Sequence, residues 1–193
     1  SSKILINKHD PYLKRYIYSL VLENKVSQAI NVIKNNKDQS NTDFFDAYLL
    51  LIVDSLKKNN FALADNYLKK IKTFSQSNKF NAAIFESLKQ YIYLFNEKII
   101  LTNKKNFGKL SIISETFQKC YLSDIDTDKY FSNLINDANS DYSRYIYFYL
   151  SYLVENNRLG EAKKIIDNYD YISTTLLISQ GKNWIESGNP DKF

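Results

Sequence analysis

Apolar residues recur at intervals of three and four along most of the chain, the period of a helix with one buried face. The stretch SYLVENNRLGEAKKII, from Ser151 to Ile166, carries this pattern on both sides of a polar break. Two upstream stretches share its layout: YSLVLENKVSQAINVI from Tyr18 to Ile33, and VDSLKKNNFALADNYL from Val53 to Leu68. Aligning them on an alanine puts Ala29, Ala64 and Ala162 in register. Val26, Phe61 and Leu159 then stand three residues before, and Ile33, Leu68 and Ile166 four after. The segments ahead of the break keep the same spacing, with Leu13, Tyr16, Ile17 and Leu20 in one and Ile146, Tyr149, Leu150 and Leu153 in another. Each stretch therefore predicts two helices and a tight turn. Asn24, Asn59 and Asn157 fall in the break, and asparagine tolerates the left-handed conformation that ends one helix and turns into the next. The alanines permit close approach of the paired helices, whose axes typically lie ~8–10 Å apart.

Ala29 and Ala64 are 35 residues apart, and paired helices at such a period mark a solenoid built by stacking. The pattern resembles the tetratricopeptide repeat (TPR). The segment LLISQGKNWIESGNPDKF looks closest to that family, with Gly181, Trp184 and Gly188 at its spacing and Asn189 and Pro190 where a further helix would begin. Elsewhere the motifs are degenerate: Ile17, Ile52 and Leu150 occupy the first-helix site where the family prefers a small residue, and Gly181 alone follows the rule. The resemblance covers about two thirds of the chain. It implies an all-α fold, a right-handed superhelix of stacked antiparallel helix pairs. Approximate repeats are expected at 11–38, 43–74, 81–121, 142–169 and 172–193, the last incomplete, within a single domain over 1–193. In the third repeat the break is placed at Asn103, Lys104 and Lys105, and an extra short helix is expected near 127–138. The incomplete last repeat suggests a fragment of a longer repeat protein.

Composition narrows the picture in a few places. Hydrophobic residues at 44%, charged residues at 24%, four Gly and two Pro suit a folded helical protein with few hairpins. The bias towards Lys, Asn, Ile and Tyr is that of an AT-rich genome and says little about role. The net charge of +5 comes from lysines scattered among acidic neighbours, which reads as solvated helix faces. No apolar run reaches the ~20 residues that span a bilayer. Cys120 is the one cysteine, in ETFQKCYL with no His or Cys neighbour, and reads as a small buried hydrophobe. The cellular compartment stays open.

Catalytic patterns are hard to find. His9 is the one histidine, so no two-His metal motif can form, and no Gly-rich phosphate loop is present. Asp124, Asp126 and Asp128 alternate as at the start of a calcium loop, but Lys129 and Ile135 stand where that loop needs Gly and Glu. Asp124 or Thr127 is expected to cap the next helix instead. The expectation is a chain that is no enzyme and takes no cofactor or metal. Tyrosine is the conspicuous surplus, above all in SRYIYFYLSYL; packing between repeats is expected to absorb most of these rings.

In the TPR family the first helices line the concave surface, and by register the resemblance would put Lys14, Tyr18, Tyr147 and Ser151 there. Rings with a polar tip beside a lysine suit an extended peptide or its carboxylate terminus. Ala29, Ala64, Ala162, Gly181 and Trp184 are assigned to repeat packing. The expected partner is thus a protein or peptide, with a homodimer through exposed solenoid ends left open. An RNA or other anionic polymer is the alternative, disfavoured because only Arg15, Arg144 and Arg158 are present and no basic block exists. A helical accessory domain of a larger enzyme is a further alternative.

Overall fold

A computed structural model describes residues 10–36, 42–136, 145–167, 183 and 185–187. The fold is all-α: among the described residues every regular element is a helix. The chain divides into two compact units, Ser1–Phe107 and Gly108–Phe193.

In the first unit α1 (Asp10–Leu22) pairs with α2 (Val26–Asn35), and α3 (Phe45–Lys57) with α4 (Phe61–Ile71). A 3₁₀ turn, Phe74–Gln76, then leads into α5 (Lys79–Glu97), which packs on α4. Leu13, Ile17, Leu20, Ala29, Ile30, Ile33, Ala47 and Leu51 form one core cluster and thereby join the first pair to α3. Phe45, Ile52, Ala64, Leu68, Ile71 and Ile92 form the next. Ala29 and Ala64 are fully buried, and so are Ile17 and Ile52 on the first helices. A large side chain on one helix combined with a methyl group on its partner fills the seam without forcing the axes apart. Lys34 of α2 and Asp54 of α3 add an ion pair of 2.7 Å, and Lys58 reaches the same carboxylate at 2.7 Å. These two ammonium groups hold the Asp54 carboxyl below its usual range.

The second unit contains α6 (Lys109–Tyr121), α7 (Thr127–Ile135), α8 (Ile146–Glu155) and α9 (Leu159–Asp167), each packed on the next. Its core gathers Phe131, Ile146, Tyr149, Leu150, Leu153, Ala162, Ile166 and Ile185. Ala162 is fully buried, whereas Gly181 and Trp184 lie outside the described residues.

One backbone turn recurs through both units. Asn24, Asn59, Ser123 and Asn157 have φ of 58°, 53°, 51° and 59°. After each, the next amide donates to the carbonyl five residues back: Lys25 to Leu20 at 2.7 Å, Asn60 to Ser55 at 2.9 Å, Asp124 to Lys119 at 3.0 Å and Arg158 to Leu153 at 2.8 Å. That bond satisfies a carbonyl the ending helix would otherwise leave orphaned. The left-handed role expected of the three asparagines is thus present, and Ser123 adds a fourth turn 34 residues before Asn157.

The middle of the chain differs from the expectation. Helix α5 ends at left-handed Lys98 (φ 59°), well before Asn103, and α6 starts only at Lys109. The helix expected as an extra element, near 127–138, is α7, and it is the partner of α6 across the Ser123 turn. Gly108, before α6, has φ 62° and ψ −128°, a combination that side chains with a β-carbon avoid. Neither expected cap is made. Asp124 Oδ1 accepts from the amide of Asp126 at 2.8 Å and from Lys119 Nζ at 3.0 Å, while Thr127 is drawn fully inside.

Candidate functional site

The side chains most suited to recognition in the first unit lie where α1 meets the start of α3. Tyr18 and Lys14 are one turn apart on α1 and share a face. Asp46, in the first turn of α3, accepts a hydrogen bond from the Tyr18 hydroxyl at 2.6 Å. Lys14 Nζ stands 3.8 Å from the same Oδ2, and 5.6 Å and 5.1 Å from the ring centroids of Tyr18 and Phe44. Burial, helped by the hydrogen bond to Asp46 and its charge, pushes the Tyr18 phenol up to about 12. It therefore remains a protonated donor throughout the neutral range. Tyr18 is 38% exposed, so the group is open to a ligand while being internally connected. Phe44 and Asp46 escape a reading by motif because they approach α1 through the fold, with Asp46 lying 28 residues beyond Tyr18. The signal that could have found them is the repeat itself, which sets one first helix beside the next.

Tyr147 and Ser151 lie on α8 in the second unit. Tyr147 is half-buried against the core cluster, and burial raises its phenol pKa. Ser151 Oγ donates to Glu155 Oε1 of its own helix at 3.4 Å. The neighbouring rings serve packing, as their number suggested. Tyr145 and Phe148 meet the Phe117 ring edge-on at 5.8 Å and 4.9 Å, while Tyr149 stacks on Phe131 at 5.0 Å.

A charged network ties α7, α8 and the start of α9 together. Arg158 Nη1 reaches Asp128 Oδ2 at 2.9 Å, its Nη2 reaches Glu161 Oε2 at 2.6 Å, and the Tyr149 hydroxyl donates to Asp128 Oδ1 at 3.0 Å. Hydrogen bonding to Glu161 and Asp128 raises the guanidinium pKa further, so Arg158 stays charged. Asp128 of the alternating acidic run is thereby committed to structure. Its neighbours Asp124 and Asp126 face Lys119 at 3.0 Å and 3.5 Å. Among the described residues no group of three or more His, Cys, Asp and Glu side chains could hold a metal ion. Burial pushes the Cys120 thiol up to about 11, with a smaller push from the Glu155 charge, so the thiolate needed for nucleophilic chemistry is scarce at neutral pH.

No described helix is long and apolar enough to cross a membrane. No family model, curated protein or solved structure matches the chain.

Proposed function

We propose that the chain is a non-catalytic TPR-like scaffold, a right-handed superhelix of helix pairs whose first helices form a concave face that binds a protein or peptide. The observation that carries this reading is the recurring left-handed turn at Asn24, Asn59, Ser123 and Asn157. Spacings of 35 residues between the first two and 34 between the last two give successive pairs a common register. Elements that repeat in this way place equivalent residues in rows, which is how solenoids build extended binding surfaces. In the first unit the first helices carry Lys14 and Tyr18 on α1 and Asp46 on α3, and in the second unit α8 carries Tyr147 and Ser151. An exposed ring with a polar tip beside charged groups, as Tyr18 is beside Lys14 and Asp46, suits peptide recognition. The helix-bound ion pairs and the raised Cys120 thiol favour a structural role over a catalytic one.

The test is retention of cell proteins on the immobilised chain, compared with a Tyr18→Ala variant and washed at low and then high salt. A defined protein that survives high salt and is lost from the variant supports the scaffold. Retention of nucleic acid that elutes steeply with salt overturns it in favour of a polyanion-binding protein.

A further inference from the structure

The Lys14 ammonium is not simply a free cation awaiting an acidic ligand. It lies 5.1 Å from the Phe44 centroid and 5.6 Å from that of Tyr18, both within the ~6 Å range of a cation–π contact. A further neighbour among the described residues is a carboxylate, Asp46 Oδ2, at 3.8 Å. Two π faces and one negative charge converge on a single positively charged group. The carboxylate is held in place from the other side, because the Tyr18 hydroxyl donates to it at 2.6 Å. Phe44 is anchored as well, packed against the α1–α2 core cluster. The surroundings are thus fixed, whereas their occupant is the tip of a flexible four-carbon stem.

We propose that Tyr18, Phe44 and Asp46 form a recognition cage for an alkylammonium group, filled in the free protein by the chain's own Lys14. A basic side chain of a bound peptide takes Lys14's place. Naming a peptide as the ligand rests on the scaffold reading above; the cage itself does not. Charge disfavours the opposite assignment at this spot, since a ligand carboxylate approaching Lys14 would meet the Asp46 charge beside it. Lys14 and Asp46 have side-chain exposures of 45% and 42%, so each contact that Lys14 makes is individually weak and its departure into water is easy. Lys14 acts as a tethered competitor, which sets a threshold for ligand affinity and keeps the rings covered when no ligand is present.

The experiment titrates the full chain with choline and, separately, with its neutral carbon isostere 3,3-dimethylbutan-1-ol, while following the ring NMR signals of Tyr18 and Phe44. Wild type, Lys14→Ala and Lys14→Ala/Asp46→Asn are compared, with Lys14→Gln as a second opening variant that retains a longer stem. Removing the lysine is expected to tighten choline binding about tenfold. The isostere should move neither ring, and Asp46→Asn should reverse most of the gain. Equal titration of wild type and both opening variants, or equal shifts from the neutral isostere, overturns the cage. Loss of cation binding leaves the scaffold reading to its own retention test. Conversely, a cage that binds choline while the chain retains no protein counts against the scaffold alone.

Discussion

The α3–α4 and α6–α7 pairs share a backbone turn and differ in what fills the seam behind it. Seven residues before the left-handed position stands Ile52 in one and Thr116 in the other, both fully buried. After the turn, α3–α4 buries Ala64, Leu68 and Ile71, whereas α6–α7 buries Thr127, Phe131 and Leu134. Helix α6 also buries Ser114 and Gln118, joined by a hydrogen bond of 2.9 Å from Gln118 Nε2 to Ser114 Oγ. The Thr116 hydroxyl is satisfied by donating to the Ile112 carbonyl at 2.9 Å. The Thr127 hydroxyl is buried with no hydrogen-bond partner among the described residues. A helix pair of this kind is therefore specified by its turn and by the volume at its seam. The residue types can drift towards polar ones as long as internal hydrogen bonds take up their donors, and at Thr127 that condition is not met.

The comparison can be broken most forcefully at the two matched positions before the turn. Ile52→Ala should cost about 3 kcal/mol through lost burial and a cavity, and Thr116→Ala about 1 kcal/mol. Urea denaturation for the first, and amide exchange of α6 and α7 for the second, check the contrast. Equal losses would mean that the two seams are packed alike. An effect as large as that of Thr116→Ala, but of opposite sign, is expected from Thr127→Val, which keeps the shape and removes the orphaned hydroxyl. It should stabilise by about 1 kcal/mol, read as slower exchange of α7 amides. The turns themselves offer the finest contrast. Serine adopts the left-handed region less readily than asparagine, so Ser123→Gly should gain about 0.5 kcal/mol while Asn59→Gly changes little. A larger gain at Asn59 in thermal melts would remove the assigned role of the asparagines.

These differences also explain what the amino-acid pattern reveals and what it hides. Asn24, Asn59 and Asn157 announce their turns because the residue type matches the backbone need, and the alanines five residues later confirm the register. Ser123 performs the same task with a residue that signals nothing in particular. Thr127 stands one residue earlier than the matching alanine, which removes the second marker. The spacing of 34 residues from Ser123 to Asn157 remains the legible clue to the α6–α7 pair. Where α1 meets the start of α3, Lys14 and Tyr18 can be placed on one side of α1 by helical period alone. Their partners Phe44 and Asp46 come from the next pair, and no local pattern specifies a contact made by stacking.

Within each unit the principal packing partner of every described helix is a neighbour along the chain. Such a molecule has few large loops to close before its contacts begin to compensate for lost chain entropy, and low contact order speeds folding. Each hairpin can form as soon as its own residues are present and then serve as the surface on which the next condenses. Assembly can accordingly keep pace with synthesis, growing from one end of a unit while the remainder is still being made.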